Sequence, residues 1–329
     1  MDWKIKDTRV LVTGGAGFIG SNLCEALLEQ NNEVVCLDNF LTGKRENIQE
    51  FLSNQKFNLI EGDIRDFNTC LKACEGIEIV LHQAALGSVP RSIENPIRTH
   101  EINTNGFLNM IIAARDQKVR RFVYAASSST YGDSKSLPKV EEVIGKPLSP
   151  YAITKYVNEL YASVCAYIYG VETIGLRYFN VFGRRQDPNG MYAAVIPKFI
   201  EKLLAYESPV VNGGGDFSRD FTYIDNVIQA NQRAATTAVP EAINNVYNVA
   251  FGQRTTIKQL AESLREGLAK YDPKIADIEI EYGPIRNGDI PHSLASTDKA
   301  KSLLGYSPEF DIVEGLKLSI DWYWRNFGR

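Results

Sequence analysis

Short apolar, β-branched runs alternate with longer stretches of helical period through the first half of the chain. In Arg9–Val12, Glu33–Leu37, Phe57–Glu61, Ile79–Leu81, Arg121–Ala125 and Glu172–Leu176 the apolar residues are consecutive rather than alternating, the pattern of strands covered on both faces. Between them, Gly17–Gln30, Phe67–Cys74, Pro96–Gln117 and Pro150–Tyr169 read as helices. A strand–helix series of this kind predicts a parallel sheet with helices on both faces.

The expected fold is therefore α/β, a Rossmann-type doubly wound parallel sheet over residues 1–180. After about Tyr178 the pattern changes to loops rich in Gly, Asp and Asn. A helix is expected near Ile196–Ala205, strands near Pro209–Val211 and Glu279–Tyr282, and helices near Ile257–Lys270 and Ile312–Trp324. Residues 181–329 thus read mainly as a smaller α/β C-terminal substrate lobe. Segments around 220–250, Val246–Val249 among them, are expected to return to the main sheet.

Composition narrows the function. A chain of 329 residues, 44% apolar and 23% charged, is ample for burying a cofactor. Its net charge of -4 argues against nucleic acid as a partner, while leaving room for a local cationic pocket. The N-terminus has no apolar signal core, and no apolar run reaches the roughly 18 residues of a membrane span, so membrane insertion is not expected and cytoplasmic residence is. Cys24, Cys36, Cys70, Cys74 and Cys165 are odd in number and scattered, and His82, His100 and His292 make no ligand spacing; reduced thiols and no metal are expected.

Strand Arg9–Val12 runs into Thr13-Gly14-Gly15-Ala16-Gly17-Phe18-Ile19-Gly20, and a helix follows. Gly14, Gly17 and Gly20 permit a tight turn, the approach of a pyrophosphate to backbone N–H groups at a helix N-terminus, and close packing of helix on strand. The second strand ends at Asp38, placed to accept hydrogen bonds from ribose hydroxyls and to repel the extra phosphate of NADP, which favours NAD. Lys44 and Arg45, close by in sequence, leave a receptor for that phosphate open. The next strands end at Gly62-Asp63-Ile64 and His82-Gln83-Ala84-Ala85, where open α/β sheets bind ligands; Asp63 is a candidate partner of the adenine amino group.

A fifth strand leads into Ser127-Ser128-Ser129-Thr130-Tyr131-Gly132, and a later helix opens with Tyr151-Ala152-Ile153-Thr154-Lys155. Tyr151 and Lys155, four apart, share a helix face. A free tyrosine, with a pKa of about 10, is a poor base at neutrality; bringing it toward 7 needs roughly 4 kcal/mol of preferential phenolate stabilisation. A lysine one turn away and a positive nicotinamide ring are suitable sources.

These motifs, with Asp38-Asn39, Asn103-Thr104-Asn105-Gly106, Arg177-Tyr178-Phe179-Asn180, Arg219-Asp220-Phe221 and Arg286-Asn287-Gly288-Asp289, resemble the extended short-chain dehydrogenase/reductase family, and within it the UDP-sugar 4-epimerases. The resemblance covers nearly the whole chain. It implies Tyr151 as acid/base, Lys155 as its partner on the nicotinamide ribose, and Ser127 as the hydroxyl that orients the proton, with Ser128 the alternative in a serine run of ambiguous register. It implies a cofactor site of Gly14, Gly17, Phe18, Ile19, Gly20, Asp38, Asn39, Gly43, Asp63, Ile64, Gln83, Ala84, Ala85, Asn103, Tyr151, Lys155 and Tyr178, holding NAD tightly. The implied reaction is oxidation of the sugar at C4, rotation of the keto sugar, and reduction from its other face.

Arg219 and Arg286 match the family's phosphate-binding motifs, as suits the planar guanidinium fork. Ser88, Ser127, Ser128, Tyr151, Asn180, Ala194, Val195, Lys198, Asn212 and Asp289 resemble residues that meet the rest of the UDP-sugar. Two residues after Pro291, relatives restricted to glucose and galactose carry a tyrosine; here Ser293 leaves room for an N-acetyl group. The expected substrates are therefore UDP-GlcNAc and UDP-GalNAc, with a UDP-uronate epimerase or decarboxylase as the alternative. Related dehydratases carry Asp-Glu where this chain has Ser128-Ser129, which argues against dehydration. A non-catalytic NAD-sensing module has no use for Ser127, Tyr151 and Lys155 together. The resemblance also implies a homodimer built on the helices Pro96–Gln117 and Pro150–Tyr169.

Overall fold

The computed structural model describes residues 3–188, 193–285 and 290–328. Its centre is a seven-stranded parallel sheet built from β1 (Arg9–Thr13), β2 (Glu33–Asp38), β3 (Phe57–Glu61), β4 (Ile79–His82), β5 (Arg121–Ser127), β6 (Thr173–Tyr178) and β7 (Asn245–Val249). The spatial order is β7-β6-β5-β4-β1-β2-β3. The consecutive apolar residues are explained by two cores. Val10 and Val12 of β1 pack into one cluster and Leu11 into another, so neither face meets water.

Strand order reverses around β1, whose Thr13 is opposite Leu37 of β2 on one side and His82 of β4 on the other. At such a reversal the following loops diverge and leave a crevice beyond the strands' carboxyl ends. The expected return of the chain is met by β7, which pairs with β6 from Asn245 against Ile174 to Val249 against Tyr178.

The helices are α1 (Phe18–Glu29), α2 (Phe67–Ala73), α3 (Val89–Glu94), α4 (Pro96–His100), α5 (Gly106–Asp116), α6 (Pro150–Tyr169), α7 (Val195–Leu204), α8 (Ile224–Thr236), α9 (Ile257–Ala269), α10 (Asp298–Leu304) and α11 (Ile312–Phe327). Helix α6 begins and ends where its sequence dictates. Ser149 caps the Ala152 N–H, Pro150 occupies the first turn, and Gly170 closes it at φ 69°.

The helix expected over Pro96–Gln117 runs from Pro96 to Asp116, with a π-helical turn, Glu101–Asn105, joining α4 to α5. In that turn Asn103 accepts from Leu86 N at 2.7 Å and donates to Thr154 Oγ1 at 3.2 Å. Helix α8, in a stretch for which no helix is expected from the sequence, buries amides as well as apolar groups. Asn226 donates to Phe310 O at 2.7 Å, Gln229 to Ser307 O at 2.8 Å and Asn231 to Tyr178 Oη at 2.9 Å. In the second lobe, Val210–Asn212 pairs in parallel with Glu281–Gly283, and Ser218–Arg219 pairs antiparallel with Thr255–Thr256.

Candidate active site

Beyond the ends of β1, β2 and β4 lies a cavity of about 380 Å³. Its floor is the glycine turn. Gly14 has φ 68°, and a Cβ there would stand 2.8 Å from the backbone of Ala84. At Gly20 a Cβ would meet the Gly14 carbonyl at 2.1 Å, so α1 approaches β1 more closely than any side chain allows. No side chain caps the first turn of α1, and Gly17, Phe18, Ile19 and Gly20 all line the cavity. The cradle fits an anionic dinucleotide: backbone N–H groups at a helix N-terminus face that end.

Asp38 closes the next corner. Its carboxylate accepts from Ala16 N at 2.9 Å and Phe40 N at 2.8 Å, and Gly43 approaches so closely that a Cβ would lie 2.9 Å from it. Burial pushes the Asp38 carboxyl upward against these donors. Asn39, Gly43, Ile64, Gln83, Ala84, Ala85 and Tyr178 also line the cavity. Tyr178 Oη lies 3.2 Å from Gln83 Oε1, fixing the far wall.

At the other end stand Ser127, Tyr151 and Lys155. Helix α6 places the last two one turn apart, and Lys155 Nζ donates to Ala125 O at 2.7 Å, which ties the helix to the end of β5. Ser127 accepts from Ser129 N at 3.2 Å and from Ser129 Oγ at 2.9 Å, leaving its own proton for the Tyr151 oxygen, with which it is hydrogen-bonded. Of the serine run it is Ser127 that lines the cavity with Tyr151, and Ser129 stands behind it.

Burial raises the Tyr151 phenol and Ser127 pulls it back down. The Lys155 ammonium is brought down to about 8 by burial, opposed by Glu159. Burial and Lys155 together take His82 down to about 3, so His82 is neutral, with Nδ1 2.9 Å from Thr13 Oγ1. Burial thus favours the protonated Tyr151, and a cation beside it would favour the phenolate.

Asn180 and Val181 belong both to this cavity and to a second, of about 1080 Å³, in the C-terminal lobe. Ser88, Ala194, Val195, Lys198, Asn212 and Arg219 line the second cavity, with Phe199, Phe217 and Phe221 as an apolar wall. An anion entering there meets Lys198 and Arg219 beside aromatic surface, a combination suited to a phosphorylated ligand carrying a planar base.

Residues 10–250 match the NAD dependent epimerase/dehydratase family. The chain belongs to this family. It is 37% identical to a putative UDP-glucose 4-epimerase of Methanocaldococcus jannaschii over 96% of this chain and 99% of that one. Among solved structures it is similar to the UDP-N-acetylglucosamine 4-epimerase of Methanobrevibacter ruminantium M1 in complex with UDP-N-acetylmuramic acid, at 38% identity and a TM-score of 0.90, covering 98% of this chain and 100% of that one. The UDP-glucose 4-epimerase of Thermus thermophilus, solved with NAD, aligns at 33% identity and a TM-score of 0.83 over 96% and 98% of the two chains. The family's cofactor, NAD, is accordingly this chain's cofactor.

Not every residue expected at the site of this epimerase/dehydratase fold faces one of these two cavities. Asp63 is turned outward, accepting from Arg65 Nη2 at 2.8 Å and Asn39 Nδ2 at 2.9 Å, and its carboxyl is held down at about 2 chiefly by Arg65. Its neighbours Gly62 and Ile64 supply the lining instead. Asn103 holds the Leu86 loop from behind. Ser128 lies in the turn after β5, outside both linings. Ser293 is half-buried one strand over from Arg219; its N–H donates to Ser218 O at 3.0 Å. Arg286 and Asp289 lie outside the described residues.

Sequence reasoning overlooks Leu37, Leu41, Ile102, Ala125 and Ala126 in the first cavity, and Gln186 in the second. Ala125 and Ala126 carry a usable signal, since they end a strand whose neighbours all end at the crevice.

Proposed function

We propose that this protein epimerises UDP-sugars at C4, with UDP-GlcNAc and UDP-GalNAc as its preferred pair and UDP-Glc and UDP-Gal as weaker substrates. The observation that carries the activity is the Ser127–Tyr151–Lys155 group opening on a glycine-cradled cavity that shares Asn180 and Val181 with a second, cationic one. Similarity to UDP-sugar 4-epimerases supports the reading. Residues 1–180 with β7 serve as the NAD-binding unit, and 181–329 mainly as the UDP-sugar lobe.

NAD, when bound, supplies a hydride acceptor for the sugar C4–H that can return the hydride to the opposite face. The protein manages the proton and the geometry. Tyr151 Oη takes the 4-hydroxyl proton as C4 is oxidised to the ketone, and gives it back when C4 is reduced. Ser127 orients that proton between sugar and phenol, and Lys155 favours the phenolate in each oxidation. Gly14, Gly17 and Gly20 hold the pyrophosphate of the cofactor and Asp38 its ribose. Lys198, Arg219 and Arg286 hold the diphosphate of the substrate while the sugar turns over beside Tyr151.

The N-acetyl preference rests on Ser293, where a small side chain follows Pro291, and is supported by the N-acetylglucosamine-acting relative. Incubation with each UDP-sugar, UDP-glucuronate included, and product identification by NMR tests the substrate class. Ser293→Tyr is expected to abolish N-acetyl turnover and spare UDP-Glc and UDP-Gal, because steric exclusion discriminates strongly where a missing contact is worth only about 1–3 kcal/mol. Equal losses on both pairs, or retained N-acetyl activity, refute Ser293 as the gate.

A homodimer is part of the same reading. Ile153, Leu160, Val164 and Tyr167 form an exposed stripe along α6, beside exposed Ile93 and Ile97 on α3 and α4. Light scattering giving the mass of a single 36.8 kDa chain would remove this part of the proposal.

A further inference from the structure

One turn beyond Lys155 on α6, Glu159 is 7% exposed and makes a two-pronged ion pair with Arg177 of β6, itself 4% exposed. Arg177 Nε reaches Glu159 Oε1 at 2.9 Å and Nη2 reaches Oε2 at 2.7 Å. The third corner of the guanidinium, Nη1, donates to Glu141 O at 2.9 Å, and its central carbon lies 4.9 Å from the centre of the Tyr131 ring. Tyr131 in turn donates to Asn248 of β7 at 2.6 Å.

A buried ion pair is weak evidence of stability, because its desolvation cost rivals its Coulomb gain, so a core of this size has no need of one. Its placement is what distinguishes it. Glu159 is the charged group of opposite sign nearest along the helix to an ammonium that is itself 3% exposed, and Arg177 immediately precedes Tyr178, which lines the cofactor cavity. We propose that the Glu159–Arg177 pair is a positioning element for the Tyr151–Lys155 couple: Glu159 holds Lys155 in its charged form, and Arg177 fixes that carboxylate and limits its field so that Tyr151 is not opposed. The proposal rests on the catalytic reading of Tyr151 and Lys155.

The remaining groups around Lys155 do not replace this one. On α6 its neighbours are Tyr151, whose ring centre lies 6.0 Å from Nζ, and Glu159; from β5 it meets the Ala125 carbonyl, from β4 His82, which is neutral, and Tyr178 of β6 shares its cavity, while Arg177 and the buried, uncharged Tyr124 act on Glu159 or on each other. Glu141 and Tyr131 stand behind Arg177. Among these, Glu159 is the anion that acts on Lys155, and it opposes the burial that brings the ammonium down to about 8.

The test is a pH titration of the NAD-loaded enzyme carrying lysine labelled with ¹³C at Cε, the Lys155 resonance being assigned by its loss in Lys155→Met. Glu159→Gln removes the anion and strands the Arg177 cation, and is expected to lower the Lys155 midpoint by about one pH unit or more. Arg177→Met strands the anion and is expected to raise it. The double variant Glu159→Met/Arg177→Met removes both charges, keeps volume, and is the variant expected to fold if the single ones do not. Its midpoint is expected between those of Glu159→Gln and the wild type.

The pH–rate profile on a UDP-sugar should move its alkaline limb in the same order. A double variant whose Lys155 midpoint matches or exceeds the wild type overturns the proposal, as do folded single variants that move it the same way. Midpoints in the expected order, in an enzyme whose wild type converts no UDP-sugar, refute the catalytic reading instead.

Discussion

Replacing Gly14 by alanine separates two costs that the glycine turn avoids. At φ 68° an alanine lies in the left-handed region, which costs a non-glycine residue roughly 1–2 kcal/mol. The new Cβ would also stand 2.8 Å from Ala84 N and Cα, where ordinary contact begins at 3.4 Å, so the end of β4 must retreat by the difference. Those atoms are backbone directly following a strand paired on both sides, and Ala84 lines the cofactor cavity. Gly170 provides the control: its φ is 69° but a Cβ there meets nothing within 4 Å, so Gly170→Ala carries the conformational cost alone. Gly14→Ala is expected to lower the melting temperature more than Gly170→Ala does, and to lose NAD, whereas Gly170→Ala keeps it. Thermal melts and NAD released on denaturation, quantified by chromatography, give both readouts. A Gly14→Ala protein with full NAD and a melt no lower than that of Gly170→Ala would refute the steric account of the turn.

Tyr151→Phe is expected to keep its fold and NAD but lose roughly 10²–10⁴-fold in turnover, the range for a lost acid/base, with Ser127→Ala milder; Ser128→Ala being the more damaging serine change would contradict the hydrogen bond assigned to Ser127. Asp220, buried under the 250–253 and 295 backbone, is pushed up to about 6 by burial from 3.8, so between these pH values the native state binds more protons than the unfolded one and stability falls as pH rises. Asp220→Asn should remove that part of the slope in denaturant titrations run from pH 4 to 6; a wild-type-minus-variant difference that is flat or rises with pH would contradict it.

The parts legible in the sequence are those where one physical requirement dominates. Doubly buried strands need consecutive apolar residues, so β1 to β6 can be located to within a residue or two. The cofactor turn needs glycine where Cβ has no room, and α6 needs Tyr151 and Lys155 on one face. Helix α8 escapes a reading of this kind because Asn226, Gln229, Asn231 and Gln232 lie on its buried side, bonded to partners distant in sequence such as Phe310, Ser307, Tyr178 and Ile5. No local pattern announces those bonds. Asp63 and Asn103 depart from expectation for a related reason: their positions after a strand and in a helical stretch are as expected, but the direction of each side chain is decided by Arg65 and by a π-helical turn.

Because β7 lies against β6, the chain leaves the main sheet toward its C-terminal segments twice from neighbouring points, after Tyr178 and after Val249, which face each other in register. Shortening the polypeptide at the boundary suggested by the first half of the sequence, near residue 180, would therefore not release a self-sufficient nucleotide-binding module. It would strip β6 of its neighbour and expose a row of unpaired N–H and C=O groups from Thr173 to Tyr178, an invitation to self-association. An engineered exchange of the segment after residue 180 therefore has to leave Asn245–Val249 in the sheet beside β6.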